Sequence, residues 1–98
     1  MQSLIFNYPF EHVYRGAKMV MHNKGYNVVT NDRDHGTMTF EKKKFLVLPD
    51  VKATMNLEKI SAGIRVVINA RVKGLFFANA KRAAQIENRI VEVMASII

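Results

Sequence analysis

Four consecutive positions, Asp32-Arg33-Asp34-His35, bring two carboxylates, a guanidinium and an imidazole together. A calcium loop would need acidic residues at alternate places, Gly at the sixth and Glu at the twelfth. Counted from Asp32, Gly36 arrives one place early and Lys43 stands where the Glu should be. A transition-metal site would need further ligands, yet His12 and His22 lie ten residues apart on one predicted helix, with no His-x₃-His spacing. The cluster therefore reads as a polar turn, ended by Gly36 and joining two alternating runs.

Other chemistry finds no better support. Acid–base catalysis needs carboxylates held together in a sheltered cleft. The eight acidic residues are scattered, most at outward strand or helix positions. Ser3, Ser61 and Ser96 lie in no nucleophile-elbow context, and the glycines are isolated, so no phosphate cradle forms. The chain has no cysteine, which excludes a disulfide scaffold and thiolate metal sites within these residues. The expectation is a non-enzyme with no catalytic, cofactor-binding or metal-binding residues.

Hydrophobic periodicity supplies the elements. Ser3–Tyr8 alternates as a strand, setting Leu4, Phe6 and Tyr8 against Ser3, Ile5 and Asn7. After Pro9, residues Phe10, Val13, Tyr14, Ala17, Val20 and Met21 fall at helical spacing until Gly25 ends the helix. Tyr26–Asn31 and Gly36–Lys42 read as strands either side of the turn, with Phe40 facing inward. The run Lys42-Lys43-Lys44 leads into the apolar Phe45–Pro49. Two longer strands follow, Val51, Ala53, Met55 and Leu57 sharing one face and Ile64, Val66, Ile68, Ala70 and Val72 the other strand's matching face. Beyond Gly74 a terminal helix is predicted, with an apolar stripe of Phe76 or Phe77, Ala80, Ala83, Ala84, Ile90, Val91, Met94 and Ile97. Lys81, Arg82, Gln85, Asn88, Arg89 and Glu92 take its wet side.

The 98 residues fit a single domain, 1–98, in the order β-α-β-β-β-β-α. The fold class is α+β: two layers, a curved, largely antiparallel five-stranded sheet with both helices on one face, of helix-grip type.

A net charge of +7 predicts attraction to an anionic surface: an acidic protein face, anionic lipid or nucleic acid. On the open sheet face Lys52, Arg65, Arg71 and Lys73 form a candidate partner- or anion-binding set; otherwise they belong to a solvated face. Sheet-type RNA readers need exposed aromatics, which the outward positions of the last two strands lack. Lys42, Lys43, Lys44 and Phe45 form a second candidate, a basic and apolar contact loop. Residues 1–30 show no charged region followed by an apolar one, and no run is long enough to span a membrane.

The segment from Tyr8 to Lys43 resembles a pattern of small bacterial envelope domains. Its matching residues are Phe10, Val13, Ala17, Gly25, Tyr26, Val28, Asp32, Gly36, Met38 and Phe40. It is similar to the helix-grip repeats of the BamC lipoprotein family of the outer-membrane barrel-assembly machine. The second half agrees only in strand order. The resemblance implies a non-enzymatic domain that binds another protein and carries over no active-site residue. It implies a periplasmic or envelope-associated location where a leader precedes Met1, and a cytoplasmic one otherwise. Two further readings rank behind it: a basic nucleic-acid-binding domain, and a carrier of a small apolar ligand between sheet and terminal helix, with six methionines for an adaptable pocket. Long edge strands also suit a homodimer.

Overall fold

The computed structural model describes residues 1–42, 51–72 and 79–98. Its elements run β1 (Gln2–Phe6), α1 (Phe10–Asn23), β2 (Asn27–Asp32), β3 (Thr37–Lys42), β4 (Val51–Ile60), β5 (Gly63–Val72) and α2 (Asn79–Ile97). The strands form one five-stranded sheet in the order β1-β5-β4-β3-β2, antiparallel at every pairing. This is the α+β architecture that the periodicity predicts.

Alternation decides which face is covered. Register places Phe40 beside Ala53 and Ala53 beside Ala70, and likewise Met38 beside Met55 and Met55 beside Ile68. Of these, Phe40, Ala53, Met38, Met55 and Ile68 are buried in one cluster with Val13, Ala17, Val20 and Met21 of α1 and Ile90 and Met94 of α2. Both helices therefore lie on the same face, and removing that apolar surface from water is what holds the layers together. Four methionines, Met21, Met38, Met55 and Met94, are fully buried in this layer. Among the described residues no helix covers the opposite face, which carries Thr37, Thr39, Thr54, Asn56 and Asn69.

The end of α1 follows from Gly25. The Tyr26 N–H donates to the Met21 carbonyl and the Gly25 N–H to the His22 carbonyl, both at 2.9 Å, with Gly25 at φ 87°. This is a Schellman ending, and its left-handed residue suits glycine. The buried Tyr26 side chain completes it as the apolar partner beyond the cap.

Three details depart from the periodicity. β1 stops at Phe6, ahead of Pro9, so Tyr8 leaves the strand and stands exposed beside His12, ring centroids 4.9 Å apart. Asp32 is the last residue of β2, paired opposite Thr37, rather than part of the turn. On α2 the inward line is Ala83, Glu87, Ile90 and Met94, with Ile86, Val91 and Val93 partly buried beside it, while Ala84 and Ile97 face solvent. Spacings of four, three and four keep residues in line on a 3.6-residue helix, and Ala84 lies about 100° from Ala83. At the end it is Ile98, not Ile97, that turns inward, close enough to Gly16 that a Cβ there would come within 2.6 Å of Ile98 Cγ1. The predicted places of Phe76, Phe77 and the Ala80 side chain lie outside the described residues.

Candidate functional site

The cluster at Asp32–His35 forms the tip of the β2–β3 hairpin. The His35 Nδ1–H donates to Asp32 Oδ2 at 2.7 Å, and the His35 backbone N–H donates to Oδ1 at 3.3 Å. The side-chain hydrogen bond from His35 holds the Asp32 carboxyl below the ordinary carboxylate range. Arg33 reaches away from the tip to pair with Glu11 on α1, which also meets Arg15 at 3.8 Å. Gly36 closes the tip: its carbonyl accepts the Leu57 N–H at 2.7 Å, joining the hairpin to β4. These bonds pin the hairpin to α1 and β4. Among the described residues no group of His, Asp and Glu could hold a metal ion.

Of the cations predicted for the open face, two are brought together and a third stands apart. Lys52 and Arg71 are direct cross-strand neighbours, with Glu41 opposite Lys52 on its other side. Arg65 lies ~20 Å farther along β5, at ~3.3 Å per residue. Its guanidinium donates to Glu58 at 3.1 Å. Lys73 lies outside the described residues, as do Lys43, Lys44 and Phe45 of the contact loop. Lys42 is described, but it follows the inward register of Met38 and Phe40 and sets its Nζ 5.4 Å from the centre of the Tyr26 ring. It thus belongs to the helix side of the molecule.

Beside Lys52 the open face offers a recess of about 220 Å³, lined by Val29, Thr39, Glu41, Lys52 and Thr54. A bulge creates it. Val28 pairs with Phe40 and Thr30 with Thr39, leaving Val29 as the extra residue of β2. The Thr30 N–H donates to the Thr39 hydroxyl at 3.1 Å, so the break in the ladder leaves this donor satisfied. Every residue of β2 is exposed, Val28 by 46% and Val29 by 58%. Among the described residues β2 is also an edge strand, with no strand beside one row of its backbone groups.

A second concentration of charge, which sequence spacing does not reveal, lies across the molecule. Lys24 at the end of α1, Lys42 at the end of β3, and Arg82 and Arg89 on α2 line one cleft of about 150 Å³ with Tyr26, Val51 and Ile86. The i,i+7 spacing of Arg82 and Arg89 on the predicted wet face was the only available signal.

No protein-family model matches the chain, and no curated protein is significantly similar to it. Among the described residues no helix is long and apolar enough to cross a membrane.

Proposed function

We propose that the protein is a non-catalytic interaction module that docks another protein by strand addition along β2. The observation that carries this reading is the state of β2: an edge strand exposed over its whole length, with two adjacent valines uncovered and no Lys or Pro to blunt it. An extended segment laid beside β2 gains main-chain hydrogen bonds, and its alternate side chains gain the recess beside Val29. The net charge of +7, with Lys52 on the wall of that recess, favours a segment with acidic flanks. The likeness of the first half to envelope helix-grip domains supports an envelope partner.

A photo-crosslinking residue at Val29, in the full chain in its source cell, tests the proposal against the same residue at Ile5, an exposed apolar position on the opposite edge strand. The expected result is a discrete adduct with another protein from position 29 alone, lost when Lys52 is changed to Glu. Equal adducts from both positions, an adduct only with a second copy of the chain, or none at all overturns it.

A further inference from the structure

We infer that the cleft between the end of α1 and the side of α2 is a binding site for a phosphate group, held by Lys24, Lys42, Arg82 and Arg89. The four cations come from three separate elements, and among the described residues no acidic side chain lines the cleft with them. Gathering Lys24, Arg82 and Arg89 at one cleft is unfavourable unless an anion offsets their charge. Among the described residues Lys24, Arg82 and Arg89 form no ion pair with an acidic side chain.

The geometry suits phosphate better than a carboxylate. Two arginines and two lysines line one small cleft, and a phosphate monoester brings close to two negative charges and three acceptor oxygens. Arginine's planar fork grips such a group with paired hydrogen bonds. A second recess of about 200 Å³, lined by Arg82, Gln85, Ile86 and Arg89, shares both arginines with the first. Each volume is below the ~300 Å³ at which small-molecule pockets usually begin, which fits a single charged group rather than a whole cofactor.

Tyr26 adds to the selectivity. Burial pushes its phenol above the ordinary tyrosine range, so at neutral pH the wall of the cleft carries no phenolate. The Lys42 ammonium covers its ring, leaving no free aromatic platform for a nucleobase. A nucleic-acid strand would also want a longer track of cations than this one short cleft offers.

The test is a titration of the ¹⁵N-labelled full chain with inorganic phosphate and, separately, with phenyl phosphate, at fixed ionic strength set by chloride. Saturable shifts are expected at the Arg82 and Arg89 Nε–H groups and the Tyr26 amide. Arg82→Gln and Arg89→Gln should each weaken binding about tenfold, the loss of a charge-assisted hydrogen bond. Lys52→Gln paired with Arg71→Gln on the open face should leave it unchanged. Both arginines are exposed, so circular dichroism should show the variants folded. Tighter binding of phenyl phosphate than of free phosphate identifies the ligand as a monoester; the reverse identifies the free ion. Non-saturating shifts, equal losses in the open-face variant, or tighter binding of a single-stranded oligonucleotide than of either phosphate overturns the inference.

Discussion

The Glu87 carboxylate accepts the backbone N–H of Ala70 at 2.7 Å, although Glu87 itself is only 2% exposed. The cause lies in β1. That strand begins its pairing at Gln2 opposite Ile68, so β5 runs on past it with no strand on that side. Glu87 Oε2 takes the place of the missing strand at Ala70. Its Oε1 stands 2.7 Å from the Met1 ammonium, off the line of a directed hydrogen bond, so that contact is an ion pair. Glu87→Leu removes the acceptor and should cost about 1–3 kcal/mol, because a buried N–H is left unpaired. Glu87→Gln keeps an acceptor oxygen and should lose less. Urea midpoints at constant m-value give the comparison. Equal losses in the two variants would assign the effect to the charge rather than to the acceptor.

Gly36 sits at φ 67°, and a Cβ there would come within 2.2 Å of the Leu57 carbonyl oxygen. The Gly36 carbonyl also accepts the Leu57 N–H, so the hairpin cannot swing away without breaking its link to β4. Gly36→Ala should therefore destabilise the fold by about 2 kcal/mol or more, exceeding the ~1 kcal/mol that alanine ordinarily gains by restricting the unfolded chain. For a domain of this size each kcal/mol corresponds to ~4–8 °C in Tm, so thermal unfolding reads it directly. A Tm within 3 °C of the parent would show that the tip relaxes freely.

The layers were legible because their signals are local. Val51, Ala53, Met55 and Leu57 alternate over a whole strand, Ile64, Val66 and Ile68 answer them in register, and all are buried. The α1 stripe behaves likewise, from Val13 to Met21. What escaped the periodicity depends on where other elements stop. Glu87 takes its place only because β1 is too short to reach Ala70, which no spacing in the chain announces. Val28 and Val29 belong to a run that reads as a strand, and nothing within it marks that strand as an edge. Lys24, Lys42, Arg82 and Arg89 are far apart in the chain, and only the packing of α2 beside the ends of α1 and β3 gathers them. Arg65 stands apart from Lys52 and Arg71 for the opposite reason: residues on one strand face are held apart by the rise of the strand itself.

The hairpin tip gives a prediction in pH. Asp32 titrates below the ordinary value of 3.8 chiefly because the His35 side chain hydrogen-bonds its ionised form, and His35 then contributes through its backbone N–H and its charge. Between the folded and unfolded pKa values the unfolded chain binds the extra proton. The contribution to stability is therefore complete above the unfolded value and fades as pH falls through the folded one. In His35→Ala the Asp32 carboxyl should move back up toward its ordinary range, read by carbon-13 NMR of the carboxyl. Both groups are exposed, so global stability at neutral pH should change little. An unmoved Asp32 midpoint would mean that the imidazole does not hold the carboxylate in solution.

Tyr14 presents a buried hydroxyl that meets no hydrogen-bond partner among the described residues. Burial first, and then the Asp32 charge, push its pKa up, so it stays a neutral phenol through the physiological range. Its ring does the structural work, stacked on Phe10 with centroids 5.6 Å apart and with the Lys18 ammonium 5.8 Å from its own. Deleting a satisfied buried hydroxyl typically costs ~1 kcal/mol, but deleting an unsatisfied one removes a desolvation penalty instead. Tyr14→Phe should thus leave stability unchanged or raise it by up to ~1 kcal/mol in urea unfolding, while Tyr14→Ala, which empties the ring site, should lose ~3–5 kcal/mol. A clear loss in Tyr14→Phe would show that the hydroxyl is bonded after all. The residue would then join the network of Asp32, Arg33 and Glu11 that ties the hairpin tip to α1.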